Sequence, residues 1–396
     1  MAISSKPSKG SPKEPGQRTV GDPNAAAEKA GQVWYPALDG VRAVAVTLVF
    51  TVHYTNHSRF GWSGVLVFFV LSGFLITGVL FDNRNEHHRF RNFYVRRTLR
   101  IFPLFYFVWL LVLVGWPFLH EQWSPLRLLW PIYLGNFARF IAGTSAVDHI
   151  YTRFTVFPVE IGHFWSLAVE EQFYLLWPLV VFKVDDRKVL IRICLGVIVS
   201  VLLLRTLLLV VLPHSFLELQ FYYRMMFLQA DAFMMGGLLA LLLRGPERVR
   251  VLSRAQLFFW TSLGVLLAAC WLNGPGPHLS AIMPENFWMA SYGFTLIGLT
   301  SGGLILCAMK PGNAVFYVLN LRPLRVLGRY SYGFYVYHVL LLPLRVFHMW
   351  NGQSTVVQMV FLVVDFFIVL GVSAASYHLL EMPFLRLKSR FSVRHS

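Results

Sequence analysis

Ten runs of apolar residues constrain this 396-residue chain more than any other feature. Each is close to the ~20 residues that a helix needs to cross ~30 Å of hydrocarbon. They fall at about 37–56, 63–81, 101–119, 163–183, 190–212, 226–243, 256–272, 287–309, 330–350 and 357–380. A water-facing globule carries roughly 25% charged residues, whereas this chain carries 14% charged and 56% hydrophobic residues. That is too little polar surface for a soluble domain. The expected fold class is all-α, a polytopic membrane helix bundle of about ten transmembrane helices.

The gaps between the runs sort the charge. When they are assigned alternately to the two sides, 27 of the 35 Lys and Arg residues fall together: in the N-terminal tail, at 84–100, 183–192, 244–254 and 310–329, and at 386–394. The positive-inside rule makes that side cytoplasmic, and both termini with it. The net charge of +16 is then topology, and it implies no nucleic-acid partner. Residues 1–33, rich in Lys, Pro, Ser and Gly, read as a disordered cytoplasmic tail without a secretory signal. Residues 34–387 form the expected transmembrane domain, and 388–396 a basic cytoplasmic tail. The segment 126–142, interrupted by Pro131, Gly135 and Asn136, reads as a re-entrant or interfacial helix. Cys194, Cys270 and Cys307 stand in apolar runs without disulfide or metal spacing, so no metal site is expected.

A transporter, a channel, an anchor and an enzyme all fit such a bundle. Ionisable groups inside the spans discriminate, because each costs at least ~2.5–3.5 kcal/mol at bilayer depth. In the first run Arg42 and His53 are eleven residues apart, three turns plus ~20°, so they share a face about 16 Å apart. Asp39 stands three residues before Arg42 and is placed to pair with it. In the fourth run His163, Ser166 and Glu170 form one polar stripe, with Glu171 and Gln172 expected elsewhere on the helix. Glu170 lies ~10 Å below the outer boundary and His53 ~24 Å above the inner one, nearly one level in a ~30 Å slab. A His53–Glu170 acid/base pair is therefore allowed, provided that the two helices adjoin.

The ninth run places Ser331 and His338 on one face, with Tyr332 and Tyr335 nearby. Arg97 and Arg100, with Arg96, form a guanidinium cluster suited to phosphates, or else ordinary positive-inside charge. The glycines of the second run, among them Gly73, read as packing positions. Asp231 reads equally as structural or functional. Glu381 reads as a helix-end group pairing with a neighbouring arginine. The outer segment 120–162, with Trp123, Trp130, Tyr133, His149 and Tyr151, reads as an aromatic vestibule or as the ordinary interfacial belt.

Six blocks, in order, carry a resemblance: ALDGVRAVAV followed by His53, GVLVFFVLSGFLITGVL, FYVRRTLRIFPLFY, HFWSLAVEEQFYLLWP, LGRYSYGFYVYH and SYHLLEMPF. Together they resemble the acyltransferase 3 family of integral-membrane, mostly bacterial O-acyltransferases, over about residues 35–387. The resemblance implies transfer of an acyl group from cytoplasmic acyl-CoA, commonly acetyl-CoA, to a hydroxyl of a cell-surface carbohydrate or lipid-linked glycan. It implies the bacterial cytoplasmic membrane as the location and no permanently bound cofactor. By position, His53 is the catalytic histidine, Glu170 the motif carboxylate, and Arg42, Arg97 and Arg100 the donor-handling arginines. Asp39, His163, Ser166, Gln172, Tyr332 and His338 are taken as supporting residues.

Two departures stand out. Met382 replaces a usual basic residue, and the extra C-terminal hydrolase-like domain of some relatives is not expected here, which leaves the acceptor to the membrane domain. The chemistry agrees with the residue inventory: a thioester acyl transfer needs a base, donors for the oxyanion and cations for phosphates. The alternative is a secondary transporter using intramembrane His, Glu and Arg for coupling. It would show two related halves with broken helices. The last five runs hold no counterpart of Arg-x10-His or of HFWSLAVEEQFY.

Overall fold

A computed structural model describes residues 35–55, 60–115, 125–138, 140–141, 161–212, 221–273, 284, 286–342 and 354–391. Among the described residues the regular structure is entirely helical. Seven helical stretches are long and apolar enough to cross a membrane. These contain α1 (Pro36–Tyr54), α2 (Ser63–Asp82), α3 (Arg89–Gly115), α5 (Arg187–Val211), α7 (Ala255–Asn273), α8 (Phe294–Met309, preceded by a π turn at Met289–Gly293) and α12 (Thr355–Ser376).

The other three expected spans are helices at the expected places, but short ones. They are α4 (Trp165–Val181, 17 residues), α6 (Ala230–Leu242, 13 residues) and α11 (Ser331–Leu340, 10 residues). The rest of the ninth run, beyond Leu342, lies outside the described residues. Helix α6 is buried on nearly every side, from Asp231 through Gly237. Protein rather than lipid surrounds it, so nothing requires it to match the bilayer thickness. The expectation of about ten full-length spans therefore exceeds the seven observed among the described residues.

Burial divides the bundle into a centre and a periphery. The most apolar window of α2 is 72% buried, against 11% for the last helical stretch. Apolar side chains of the outer helices, such as Leu203, Leu207, Trp271 and Phe367, face outward. A bilayer is the medium that accepts so large an apolar surface. At the centre, α2 crosses α6 so closely that a Cβ at Gly73 or Gly236 would overlap the backbone carbonyl of Phe233 or Val70. Only glycine allows that approach, which bears out the packing reading of Gly73.

Two short helices, α9 (Ala314–Leu319) and α10 (Arg322–Arg329), pack against the start of α1. Asn313 caps α9 by accepting from Phe316 N at 2.9 Å. The chain closes with a π turn at Tyr377–Glu381, helix α13 (Met382–Leu387) and a 3₁₀ turn at Lys388–Phe391, all against the start of α3.

The segment read as a re-entrant or interfacial helix is a 3₁₀ turn at Pro125–Leu129 followed by a short helical stretch at 135–138. Tyr133 adopts a left-handed φ of 57° between them, and Gly135 lies directly against the Trp130 ring. Trp130 and Tyr133 are buried, with Tyr133 stacked on Phe105 at 4.4 Å, so neither lines an open vestibule. Trp123, His149 and Tyr151 lie outside the described residues, as does the 1–33 tail.

Candidate active site

A partly open cavity of about 900 Å³, including its mouth, runs between α1, α2, α3, α4 and α11. Arg42, Arg97 and Arg100 line one end of it; Ser166 and Tyr335 line the other; Ser72, Glu170, Glu171, Tyr174 and Tyr332 lie along its wall.

At the arginine end, Asp39 and Arg42 form the ion pair that their spacing implied. Gly328 of α10 lies against the Asp39 backbone and holds the start of α1 in place. Arg97 stacks over the Tyr174 ring at 4.0 Å from its centroid, which leaves guanidinium N–H groups for other partners. Arg96 turns the other way and donates from Nε to the Phe391 carbonyl at 2.9 Å. Tyr332 donates to the Ile101 carbonyl at 2.7 Å and ties α11 to α3 beside Arg100.

The middle of the cavity holds a relay of hydroxyls. Tyr174 donates to Ser72 at 3.0 Å, and Ser72 donates to Glu170 Oε1 at 2.6 Å. Glu171 also lines the cavity, contrary to its expected place elsewhere on α4. Its Oε1 is buried and has no hydrogen-bond partner among the described residues. Gln172 does point elsewhere. It donates to the Tyr133 carbonyl and to Asn136 Oδ1, both at 2.9 Å, and so anchors the 125–138 segment to α4.

Beyond Ser166 and Tyr335 lies a cluster of three histidines. The His53 and His338 rings are 4.9 Å apart by centroid, and those of His338 and His163 are 5.3 Å apart. Their protonation is assigned from the acceptors around them. His338 Nδ1 lies 2.6 Å from the Tyr335 carbonyl, so it carries the proton and its Nε2 accepts. That Nε2 faces His53 Nδ1 at 3.4 Å, while His53 Nδ1 lies 2.8 Å from the Val49 carbonyl. His53 therefore holds its proton on Nδ1 and presents Nε2 as the basic nitrogen. Tyr54 donates to the His338 carbonyl at 2.7 Å and locks α1 to α11 at this level. His163 Nε2 meets the Val336 carbonyl at 3.2 Å, and Tyr335 donates to the His163 carbonyl at 2.8 Å. Ser166 and Tyr335 share a further hydroxyl–hydroxyl hydrogen bond.

The hydrogen bonds place His53 with His338 and Glu170 with Ser72, so the expected His53–Glu170 pair is not formed. His338 becomes the ring that orients His53, while Glu170 belongs with Ser72 and the arginines.

Sequence reading missed the Ser72–Glu170 bond, the Tyr174 platform and one further ion cluster. Arg205, 0% exposed, binds Asp231 through both Nη atoms at 3.2 and 2.6 Å, and Leu228 O and Thr295 Oγ1 as well. Its signal was a lone arginine in LLLRTLLL, and it settles Asp231 as an ion-pair partner away from the cavity. Glu381, expected to pair with an arginine, is 3% exposed, and its Oε1 lacks a hydrogen-bond partner among the described residues. The same residues include no group of three or more His, Cys, Asp or Glu arranged to hold a metal ion. Cys194 and Cys307 are buried and Cys270 half-buried, all as free thiols.

Comparison with known proteins places this arrangement. The profile of the acyltransferase domain family matches residues 35–380. YrhL of Bacillus subtilis (strain 168), provisionally named as a peptidoglycan O-acetyltransferase, is 30% identical over 88% of this chain and 55% of its own. The peptidoglycan O-acetyltransferase OatA of Listeria monocytogenes is 28% identical over 77% of this chain and 49% of its own. The O-acetyltransferase OatA of Staphylococcus aureus is 24% identical over 88% and 57%. The chain spans about half the length of these curated relatives. No solved structure matches it. The family match covers nearly every described helix, including all those that build the cavity, and so this all-helical membrane protein belongs to the acyltransferase 3 family.

Proposed function

We propose that the chain is a membrane O-acetyltransferase of the bacterial cytoplasmic membrane. It moves an acetyl group from cytoplasmic acetyl-CoA to a hydroxyl of a cell-envelope glycan. The supporting observation is the polarity of the cavity: arginines at one end, a tautomer-fixed histidine cluster beyond the other, and hydroxyls and carboxylates between. Arg42 and His53 are about 16 Å apart along α1, a distance that an extended pantetheine arm spans. The basic end is the cytoplasmic one by the positive-inside rule, where CoA is available. Peptidoglycan, the acceptor in the names of two relatives, is the first to assay.

In this reading the arginines hold the donor phosphates and the thioester reaches up to Ser166 and Tyr335. His53 Nε2 takes the proton of the acceptor hydroxyl as its oxygen attacks the thioester carbonyl. The Ser166 and Tyr335 hydroxyls face the oxyanion that forms. The carbon–sulfur bond then breaks. The thiolate leaves with the proton that His53 Nε2 took from the acceptor, which returns the histidine to its starting state, and the ester departs on the acceptor oxygen. His338 keeps the His53 proton on Nδ1 throughout.

The test is His53→Ala in protein shown to be folded and inserted. Transfer from acetyl-CoA is expected to fall by ~10²–10⁴-fold, the usual cost of losing a general base. Retention of more than about a tenth of the activity removes His53 from the mechanism. A transporter would not cleave the thioester at all, so wild-type acetyl-CoA hydrolysis separates the two readings.

A further inference from the structure

Much of the cavity wall between the arginine end and Ser166 is apolar, with Val65, Phe68, Leu71 and Ile101 among its residues. Most of the polar groups there are engaged with one another. Ser72 donates to Glu170 and accepts from Tyr174, Ser166 and Tyr335 share a hydrogen bond, and Tyr332 donates to the Ile101 carbonyl. Glu171 belongs to none of these networks. It lines the same cavity, and its Oε1 is buried without a hydrogen-bond partner among the described residues.

Its neighbours in the chain hold it there. Glu170 and Gln172 point to nearly opposite sides of α4, and Glu171 lies about 100° from each. The first is fixed by Ser72, the second by the Tyr133 carbonyl and Asn136 Oδ1, so the rotation of α4 is set at this level and Glu171 stays at the wall. A buried acceptor without a donor costs free energy, and so does a carboxylate at bilayer depth. Height decides which donor it meets. Glu171 is five residues from Ser166 along α4, ~7.5 Å, and three from Tyr174, ~4.5 Å, and the Tyr174 ring carries Arg97. The two amide nitrogens of an extended pantetheine arm lie ~5 and ~10 Å from the thioester carbon. An arm with its thioester at Ser166 therefore brings an amide N–H to the level of Glu171, among apolar side chains where an unpaired N–H is costly.

We propose that Glu171 accepts a hydrogen bond from a pantetheine amide N–H and so selects donors that carry this peptide-like arm. Resting on the acyl-CoA reading, this makes Glu171 a specificity residue for the middle of the donor, apart from the arginines at one end and His53 at the other. The role is that of an acceptor, so a side chain that keeps a carbonyl oxygen at the same reach keeps most of it. A counter-charge to Arg97 would not survive that exchange.

The experiment measures donor kinetics for the full chain in nanodiscs, wild type against Glu171→Gln and Glu171→Met. The donors are acetyl-CoA and two analogues in which one or the other arm amide is replaced by an ester, which removes the N–H and keeps the length. In the wild type one of the two esters is expected to raise KM about tenfold, the worth of a hydrogen bond to a charged group, with kcat within about twofold. Glu171→Met is expected to raise KM for acetyl-CoA by a similar factor and to abolish the penalty of that ester. Glu171→Gln is expected to recover most of the affinity and to keep part of the penalty. The ester-to-amide KM ratio is read within each protein, so a misfolded fraction, which lowers only the apparent kcat, does not move it.

No penalty from either ester in the wild type, or the same penalty in the wild type and Glu171→Met, overturns the site. Equal losses in Glu171→Gln and Glu171→Met assign the carboxylate to charge balance and overturn it as well. A wild type that turns over no thioester overturns the acyl-CoA reading and this inference with it, whereas turnover with an unaltered ratio overturns the inference alone.

Discussion

Arg205 and Arg97 are both guanidinium groups on membrane-crossing helices, and their surroundings treat them oppositely. Arg205 is fully buried between α5, α6 and α8, and both its Nη atoms bond to Asp231, Thr295 or a backbone carbonyl. Thr295 in turn donates to Asp231 Oδ2 at 2.8 Å, so the carboxylate is shared and satisfied as well. Arg97 instead lines a cavity and rests on the Tyr174 ring without a hydrogen bond to any described residue, whereas in Arg205 Nε alone lacks a partner among them. Closed polar networks are structural. An open one in a cavity keeps donors that a bound anion would pair, because an unpaired buried donor costs free energy.

The largest way to break this comparison is at the closed site. Asp231→Ala leaves the Arg205 charge buried without its partner and is expected to destabilise the protein by about 3–5 kcal/mol. Joint replacement of Arg205 and Asp231 by Leu is expected to cost far less. Thermal unfolding in detergent measures both. An Asp231→Ala protein as stable as wild type would mean that the cluster is not a clamp.

At the open site the expected pattern is reversed, with function lost and stability kept. Arg97→Ala is expected to raise the donor KM at least about tenfold, the worth of a charged hydrogen bond, with a loss that shrinks as salt rises. Arg250, exposed on the short helix Arg248–Ser253, shares the basic side but not the cavity. Arg250→Ala is expected to leave KM unchanged, and an equal effect at both positions would reduce Arg97 to topology.

Much of the site was legible because its residues are expensive where they stand. Asp39, Arg42 and His53 interrupt an apolar run, and three-residue spacing alone put Asp39 on Arg42. Ser166 and Glu170 of the α4 stripe line one cavity, since helical periodicity is a local property, whereas His163 sits in the 3₁₀ turn before α4 and is not among the lining residues. Glu171 was misplaced because its facing depends on how α4 is rotated against α2 and α3. The His53–Glu170 pairing failed for a similar reason. Depth along an axis is additive within one helix, but the offset between two helices depends on what lies between them.

Composition and periodicity by themselves determined that the chain is an all-helical membrane protein, where its helices fall, and which polar groups need an explanation. Those are sums over local residues, and the bilayer imposes them on any chain of this kind. Tertiary structure alone decided which expected spans are full length, because a helix sheathed by other helices, such as α6, need not match the lipid. It also decided that His53 answers to His338 and Glu170 to Ser72, and that Arg205 is closed while Arg97 is open. Each of those is a contact between residues far apart in the chain. Its energy depends on the angle and offset at which two helices cross, and here the close passage of Gly73 and Gly236 sets that crossing between α2 and α6.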